Sequence, residues 1–159
     1  MNPIIALSVF LIGNGIIIPP YEHEFDLWDK TCQMVQEVYP CGEIKKPEIK
    51  DLSPEESLKY DGRYYGGDII YINPAVTGGR LARAVFHEYI HYIQYAVGEL
   101  ELPGPLMQIC WAEEQASAFT DVFIKEVLHG PANLIMGKGW WVDYPDCYFF
   151  YKPRIILIE

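Results

Sequence analysis

Residues 80–97, RLARAVFHEYIHYIQYAV, decide the fold of this chain. The stretch predicts a long helix, and Gly98 closes it as glycine commonly does just past a helix C-terminus. Inside it, residues 87–91 read HEYIH, which is the pattern HExxH. Four residues span about 400° of an α-helix, so His87 and His91 project from one face about one turn apart.

This spacing is suited to a metal ion. Two imidazoles one turn apart can bind the same ion, with zinc–nitrogen distances of about 2.0–2.1 Å. Glu88 can reach a metal-bound water without being a ligand, and the metal lowers the pKa of that water so that Glu88 can accept its proton. The alternative is that these side chains are ordinary core or surface residues, although burying two histidines and a glutamate without a metal carries a large desolvation cost.

A catalytic zinc ion usually has three protein ligands and one open position, so a third ligand is needed. The extended pattern HExxHxxGxxH is excluded, because Gln94 stands in place of its glycine and Val97 in place of its third histidine. A second long helix is predicted over residues 106–128, after the Pro-Gly-Pro loop at 103–105. That loop is long enough to bring the second helix, with Glu113, back across the first.

Together these motifs resemble the gluzincin class of zinc metallopeptidases, in which a helix bearing HExxH precedes a helix bearing a glutamate ligand within E-x-x-A-[N/D]. Residues 113–117 read EEQAS and match that pattern at Glu113 and Ala116. The resemblance covers residues 64–125 and implies a zincin-like fold and a peptide or protein substrate.

The resemblance also implies the roles of individual residues. Zn²⁺ is the expected cofactor, held by His87, His91 and Glu113, and Glu88 is the expected general base. Glu114 lies about 100° further round the helix and stays open as the alternative third ligand.

The chain departs from the family pattern at Ser117, where Asp or Asn commonly supports a ligating histidine. Such partners orient the imidazole ring and set its tautomer. Ser117 can accept a hydrogen bond without charge, and Asp121 is a possible substitute. An oxyanion-stabilising donor is also needed, and the candidates, each more often structural, are His129, Tyr144, Tyr148 and Tyr151.

The remaining elements indicate an α+β fold with a small mixed sheet. An amphipathic helix is predicted over residues 24–39, a weak edge strand over 44–50, a stronger strand over 64–73 and a final strand over 155–158. An edge strand at 64–73 could bind an extended peptide by strand addition.

The N-terminal segment, residues 1–18, is uncharged from residue 4 to residue 18. That length suits the apolar region of a signal peptide better than a membrane span, although no Lys or Arg precedes Lys30. The alternatives are a membrane-surface anchor and a buried strand. Residues 19–159 are expected to form a single zincin-like metallopeptidase domain.

The four cysteines fit two disulfides if the protein is exported. Proximity in sequence favours Cys32 with Cys41 and Cys110 with Cys147. The alternative is four buried free thiols. A secreted or extracytoplasmic location is therefore expected, with a membrane-anchored or cytoplasmic one as the alternative.

Composition limits the possible partners. The chain has 159 residues, of which 50% are hydrophobic and 21% charged, which suits one domain with a sizeable core. Its formal net charge of −10 disfavours nucleic acid and anionic lipid, so a membrane is expected only if the N-terminal segment is retained as an anchor.

Three functions agree with these features. The first is a zinc metallopeptidase. The second is a non-catalytic binding or regulatory module on the same scaffold. A fourth protein ligand, such as Glu114 or His129, would then complete the coordination of its zinc ion. The third is a zinc hydrolase of a non-peptide or cell-wall amide.

Overall fold

The computed structural model describes residues 26–129 and 146–147, which form a small mixed α/β fold. The elements in chain order are α1 (Leu27–Val35), β1 (Glu48–Asp51), α2 (Pro54–Ser57), β2 (Gly62–Tyr64), β3 (Ile69–Ile72), α3 (Gly78–Ala96) and α4 (Leu106–Phe123), which continues as a π-helical turn (Ile124–Leu128). The predicted N-terminal segment, the predicted final strand and the three candidate tyrosines Tyr144, Tyr148 and Tyr151 lie outside the described residues.

The three strands form a mixed sheet in the order β1-β3-β2. β1 runs parallel to β3, and β2 runs antiparallel to it. The single strand predicted over 64–73 is wrong, because Gly66 and Gly67 adopt positive φ angles of 98° and 76° and turn the chain between β2 and β3. Glycine populates that region without steric penalty. The edge strand predicted over 44–50 is confirmed as β1, which begins at Glu48.

One face of the sheet packs on α3. Ile70 and Ile72 alternate with more exposed neighbours along β3 and are almost fully buried. They join a core to which α3 contributes Phe86, Ile90 and Ile93. α3 therefore packs on the sheet through these apolar side chains.

α3 and α4 are antiparallel neighbours. His87 contacts Thr120 near one end of the pair, and Gln94 contacts Ala112 near the other. Both helices agree closely with the predicted ranges, and α3 is followed by Gly98 at a φ of 80°. No helix within the described residues is both long and apolar enough to span a membrane.

Both predicted disulfides are present. Cys32 is joined to Cys41, and Cys110 on α4 is joined to Cys147. The first disulfide links α1 to the segment that follows it, and the second links α4 to residue 147. The alternative of four free thiols is therefore wrong.

Asp61 joins β2 to the first turns of α3. Its carboxylate accepts hydrogen bonds from Arg80 at 2.5 Å and from Arg83 at 2.7 Å, with only 12% of the side chain exposed. Burial acts to raise the pKa of Asp61, but the hydrogen bonds and charges of the two arginines lower it below its ordinary value. The pair of arginines thus holds the carboxylate in its ionised form.

We expect Asp61→Asn to lower the free energy of unfolding by about 1–3 kcal/mol at pH 7, because hydrogen bonds between charged groups are lost. The pKa of Asp61 is lower in the folded than in the unfolded protein. This stabilisation is therefore present above the ordinary value of 3.8 and disappears as the pH falls through the folded value.

Urea unfolding between pH 3 and pH 7 measures this dependence. Glu55→Gln is the control, because it removes only an exposed pair with Lys59 and is expected to leave stability unchanged. A loss of stability in Asp61→Asn that is the same at every pH would contradict the assignment.

Candidate metal centre

Three side chains from two helices meet at one point. The Nε2 atoms of His87 and His91 on α3 lie 3.1 Å apart. Oε2 of Glu113 on α4 lies 3.2 Å from Nε2 of His87 and 3.3 Å from Nε2 of His91. The structure therefore brings together the three residues that the sequence predicted as ligands.

The spacing of these atoms fits a zinc ion. Ligand atoms about 2.0–2.1 Å from a tetrahedral zinc lie about 3.3 Å from one another. The three observed separations of 3.1, 3.2 and 3.3 Å are close to that value and outline one face of a tetrahedron. Two imidazole nitrogens and a carboxylate oxygen are also a donor set found in catalytic zinc sites.

The cluster has three members. Among the described residues, no fourth His, Cys, Asp or Glu joins it. Glu114, the alternative third ligand, and the exposed His129 are both outside the group. The side chains of His87 and Glu113 are 18% and 13% exposed, so solvent reaches the cluster.

In the metal-free protein the ligands form a buried ion pair. Burial acts to lower the pKa of His91, but the charge and hydrogen bond of Glu113 raise it to about 9. Burial acts to raise the pKa of Glu113, and the two imidazoles lower it far below the usual range of a glutamate. At neutral pH, His91 is therefore protonated and Glu113 is ionised when no metal is bound.

Glu88 is buried between α3 and β2. A Cβ atom placed on Gly62 would lie 2.7 Å from Cγ and 2.8 Å from Oε1 of Glu88, so glycine leaves the room that this side chain fills. Burial raises the pKa of Glu88, while the nearby His87 and His91 act in the opposite direction. Sequence reasoning missed Gly62, although a glycine within a strand is a known sign of close approach.

The second nitrogen of each imidazole also has a partner. Nδ1 of His87 lies 3.2 Å from Oγ1 of Thr120, whose hydroxyl donates to the carbonyl of Ala116 at 2.7 Å. Nδ1 of His91 lies 2.9 Å from Oε1 of Gln94. A contact at Nδ1 therefore restricts the rotation of each imidazole ring.

The partner of His87 differs from the prediction of Ser117 or Asp121. Thr120 lies seven residues after Glu113, which returns it to within about 20° of the same helix face. Ser117 and Asp121 are about 40° and 80° away. The residue closest to the face of Glu113 makes the contact.

Comparison of the chain with protein-family models, with curated protein sequences and with solved structures finds no match. Residues 26–129 contain a three-stranded sheet and four α-helices.

Glu113→Ala is expected to abolish zinc binding, because it removes one of three ligand atoms. Glu114→Ala is the matched control on the same helix, and it is expected to bind zinc as the wild type does. Zinc binding by the two variants is measured as zinc content after dialysis and by competition with a chromophoric chelator. Loss of zinc in Glu114→Ala alone would show that the third ligand is misassigned.

We expect zinc binding to release close to one proton per chain, because His91 is protonated below about pH 9 and must lose a proton to become a ligand. The apparent affinity should then fall about tenfold for each pH unit below that value. Titration calorimetry in two buffers of different ionisation enthalpy measures the released protons. Binding without proton release at pH 7 would contradict the ion pair.

Proposed function

We propose that this protein is a zinc-dependent metallopeptidase. His87, His91 and Glu113 would hold the ion, and Glu88 would be the general base. One observation carries the proposal: three ligand atoms meet at tetrahedral spacing, and the sequence neighbour of the first ligand is a buried carboxyl group. The zincin-like fold and the gluzincin class are part of this proposal.

Three protein ligands leave one tetrahedral position for water or substrate. A bound zinc ion supplies a Lewis acid and lowers the pKa of a coordinated water. Glu88 contributes a carboxylate that takes up one proton and later delivers it to the leaving amine nitrogen. In the metal-free protein, burial raises the pKa of Glu88, which favours uptake of a proton by this carboxylate.

The position of β2 supports a peptide substrate. β2 is an edge of the sheet, and among the described residues no strand pairs with its outer side. Gly62, at its start, touches Glu88. An extended peptide added along this edge would pass beside the general base, and strand addition is a common mode of peptide recognition.

The three-membered cluster favours catalysis over the non-catalytic module. A structural zinc site is normally closed by four protein ligands. The described residues supply three, and neither Glu114 nor His129 completes the set. The two disulfides agree with an extracytoplasmic location, because such bonds persist in oxidising compartments.

The test compares wild type with Glu88→Gln, using zinc analysis and mass spectrometry of a broad peptide library. Both proteins should hold about one zinc ion per chain, because Glu88 is not a ligand. Cleavage should fall at least about 100-fold in Glu88→Gln, which is the lower end of what a general base contributes. Gly62→Ala, which crowds Glu88 without touching a ligand, should keep zinc and lose part of the activity.

The outcomes separate the three functions. A wild type without zinc would exclude the metal centre. Zinc with no peptide cleavage would favour the binding module, and cleavage only of a non-peptide amide would favour the third function. Loss of zinc in Glu88→Gln would show that Glu88 is a ligand rather than a base.

A further inference from the structure

Gln94 is a fully buried amide one turn beyond His91 on α3. Its Oε1 lies 2.9 Å from Nδ1 of His91. Its Nε2 donates to the carbonyl of Ala112 and to Oε1 of Gln115, both at 3.1 Å. The amide therefore has a partner for its oxygen and two acceptors for its nitrogen, as burial requires.

The orientation of this amide follows from the chemistry of its partners. The backbone carbonyl of Ala112 can only accept a hydrogen bond, so the nitrogen of Gln94 must face it. The reversed amide would place two carbonyl oxygens against each other. Oε1 therefore faces His91, and the imidazole has to donate from Nδ1.

An imidazole that donates from Nδ1 offers Nε2 as its metal-binding nitrogen. Nε2 of His91 is the atom that lies 3.1 Å from Nε2 of His87 and 3.3 Å from Oε2 of Glu113. The contact with Gln94 therefore agrees with the position of the ligand atom. It also limits rotation of a ring that has no other described hydrogen-bond partner at Nδ1.

We propose that Gln94 is the positioning residue of the metal centre, holding His91 in the Nδ1–H tautomer with Nε2 aimed at the ion. The inference rests on the metal centre of the proposed function. Gln94 stands where the longer pattern HExxHxxGxxH has glycine, so the departure from that pattern supplies an orienting group. Groups that orient a ligating histidine raise metal affinity by fixing the ring and its tautomer.

His87 has a similar arrangement, in which a side-chain oxygen faces Nδ1 and a backbone carbonyl of α4 orients that side chain. The hydroxyl of Thr120 donates to the carbonyl of Ala116, so its oxygen is left to accept from Nδ1 of His87. Ala112 and Ala116 are one turn apart on α4. Two backbone carbonyls of α4 that lie one turn apart thus orient Gln94 and Thr120, whose oxygen atoms face the two imidazoles.

The test measures the zinc dissociation constant of the whole chain at pH 7.5 by chelator competition. Gln94→Met keeps the length of the side chain and removes its oxygen, so affinity should fall about 10–100-fold. Gln115→Met is the matched control, because it removes a partner of Gln94 and of the Tyr39 hydroxyl without touching His91. Its affinity should stay within about threefold of wild type, since the carbonyl of Ala112 still orients Gln94.

Two further measurements separate positioning from packing. Urea unfolding in EDTA should show similar losses of stability for both variants, because each breaks a buried contact between the helices. Long-range ¹H–¹⁵N NMR of the zinc-loaded wild type should show His91 protonated at Nδ1 and bound through Nε2. The NMR result does not depend on whether a variant folds.

Several results would overturn the inference. Unchanged affinity in folded Gln94→Met, or coordination of His91 through Nδ1, would remove the role of Gln94 and leave the metal centre intact. Equal loss of affinity in Gln115→Met would show that helix packing is responsible. A wild type that binds no zinc would overturn the metal centre and the role of Gln94 together.

Discussion

The close antiparallel packing of α3 and α4 is the constraint on which the rest of the centre depends. Ala112 and Ala116 are almost fully buried in the second helix, and their small side chains permit the approach. Phe86 and Phe123 stack with ring centres 4.2 Å apart and hold the two helices at one end. Only at this separation does a glutamate from α4 reach two histidines of α3, because a longer side chain in the contact would push the helices apart.

The centre concentrates buried polar groups that are costly to desolvate. His91 and Glu88 are each 6% exposed, and Gln94 is fully buried. Such burial is tolerated because the groups satisfy one another, and His91 and Glu113 form an ion pair in the absence of metal. Apolar side chains at this place would avoid the desolvation cost of these polar groups. Their presence is therefore consistent with a functional site. The same network brings Nε2 of both imidazoles and Oε2 of Glu113 close to one another.

The elements of the fold could largely be predicted, since their signals are local. Helix-breaking residues and apolar content predict α3 and α4, and nearness in sequence predicts the disulfide pairing. The strand predicted over 64–73 is not continuous, because Gly66 and Gly67 reverse the chain, and the apolar residues around them give no indication of that turn. Which strand lies at the edge next to Glu88 depends on pairing between distant segments, and no local pattern encodes it.

The candidate site also has some features that the sequence predicts and others that depend on the tertiary structure. Helical periodicity alone placed His87 and His91 on one face, and a resemblance in the following helix singled out Glu113. The contact of Glu113 rather than Glu114 with both imidazoles, and the contacts of Thr120 and Gln94 with them, are seen only in the tertiary structure. The physical reason is that periodicity decides which side chains of one helix share a face. Which of them meet across two helices depends on the axial offset and separation of those helices, and these are set by packing far along the chain.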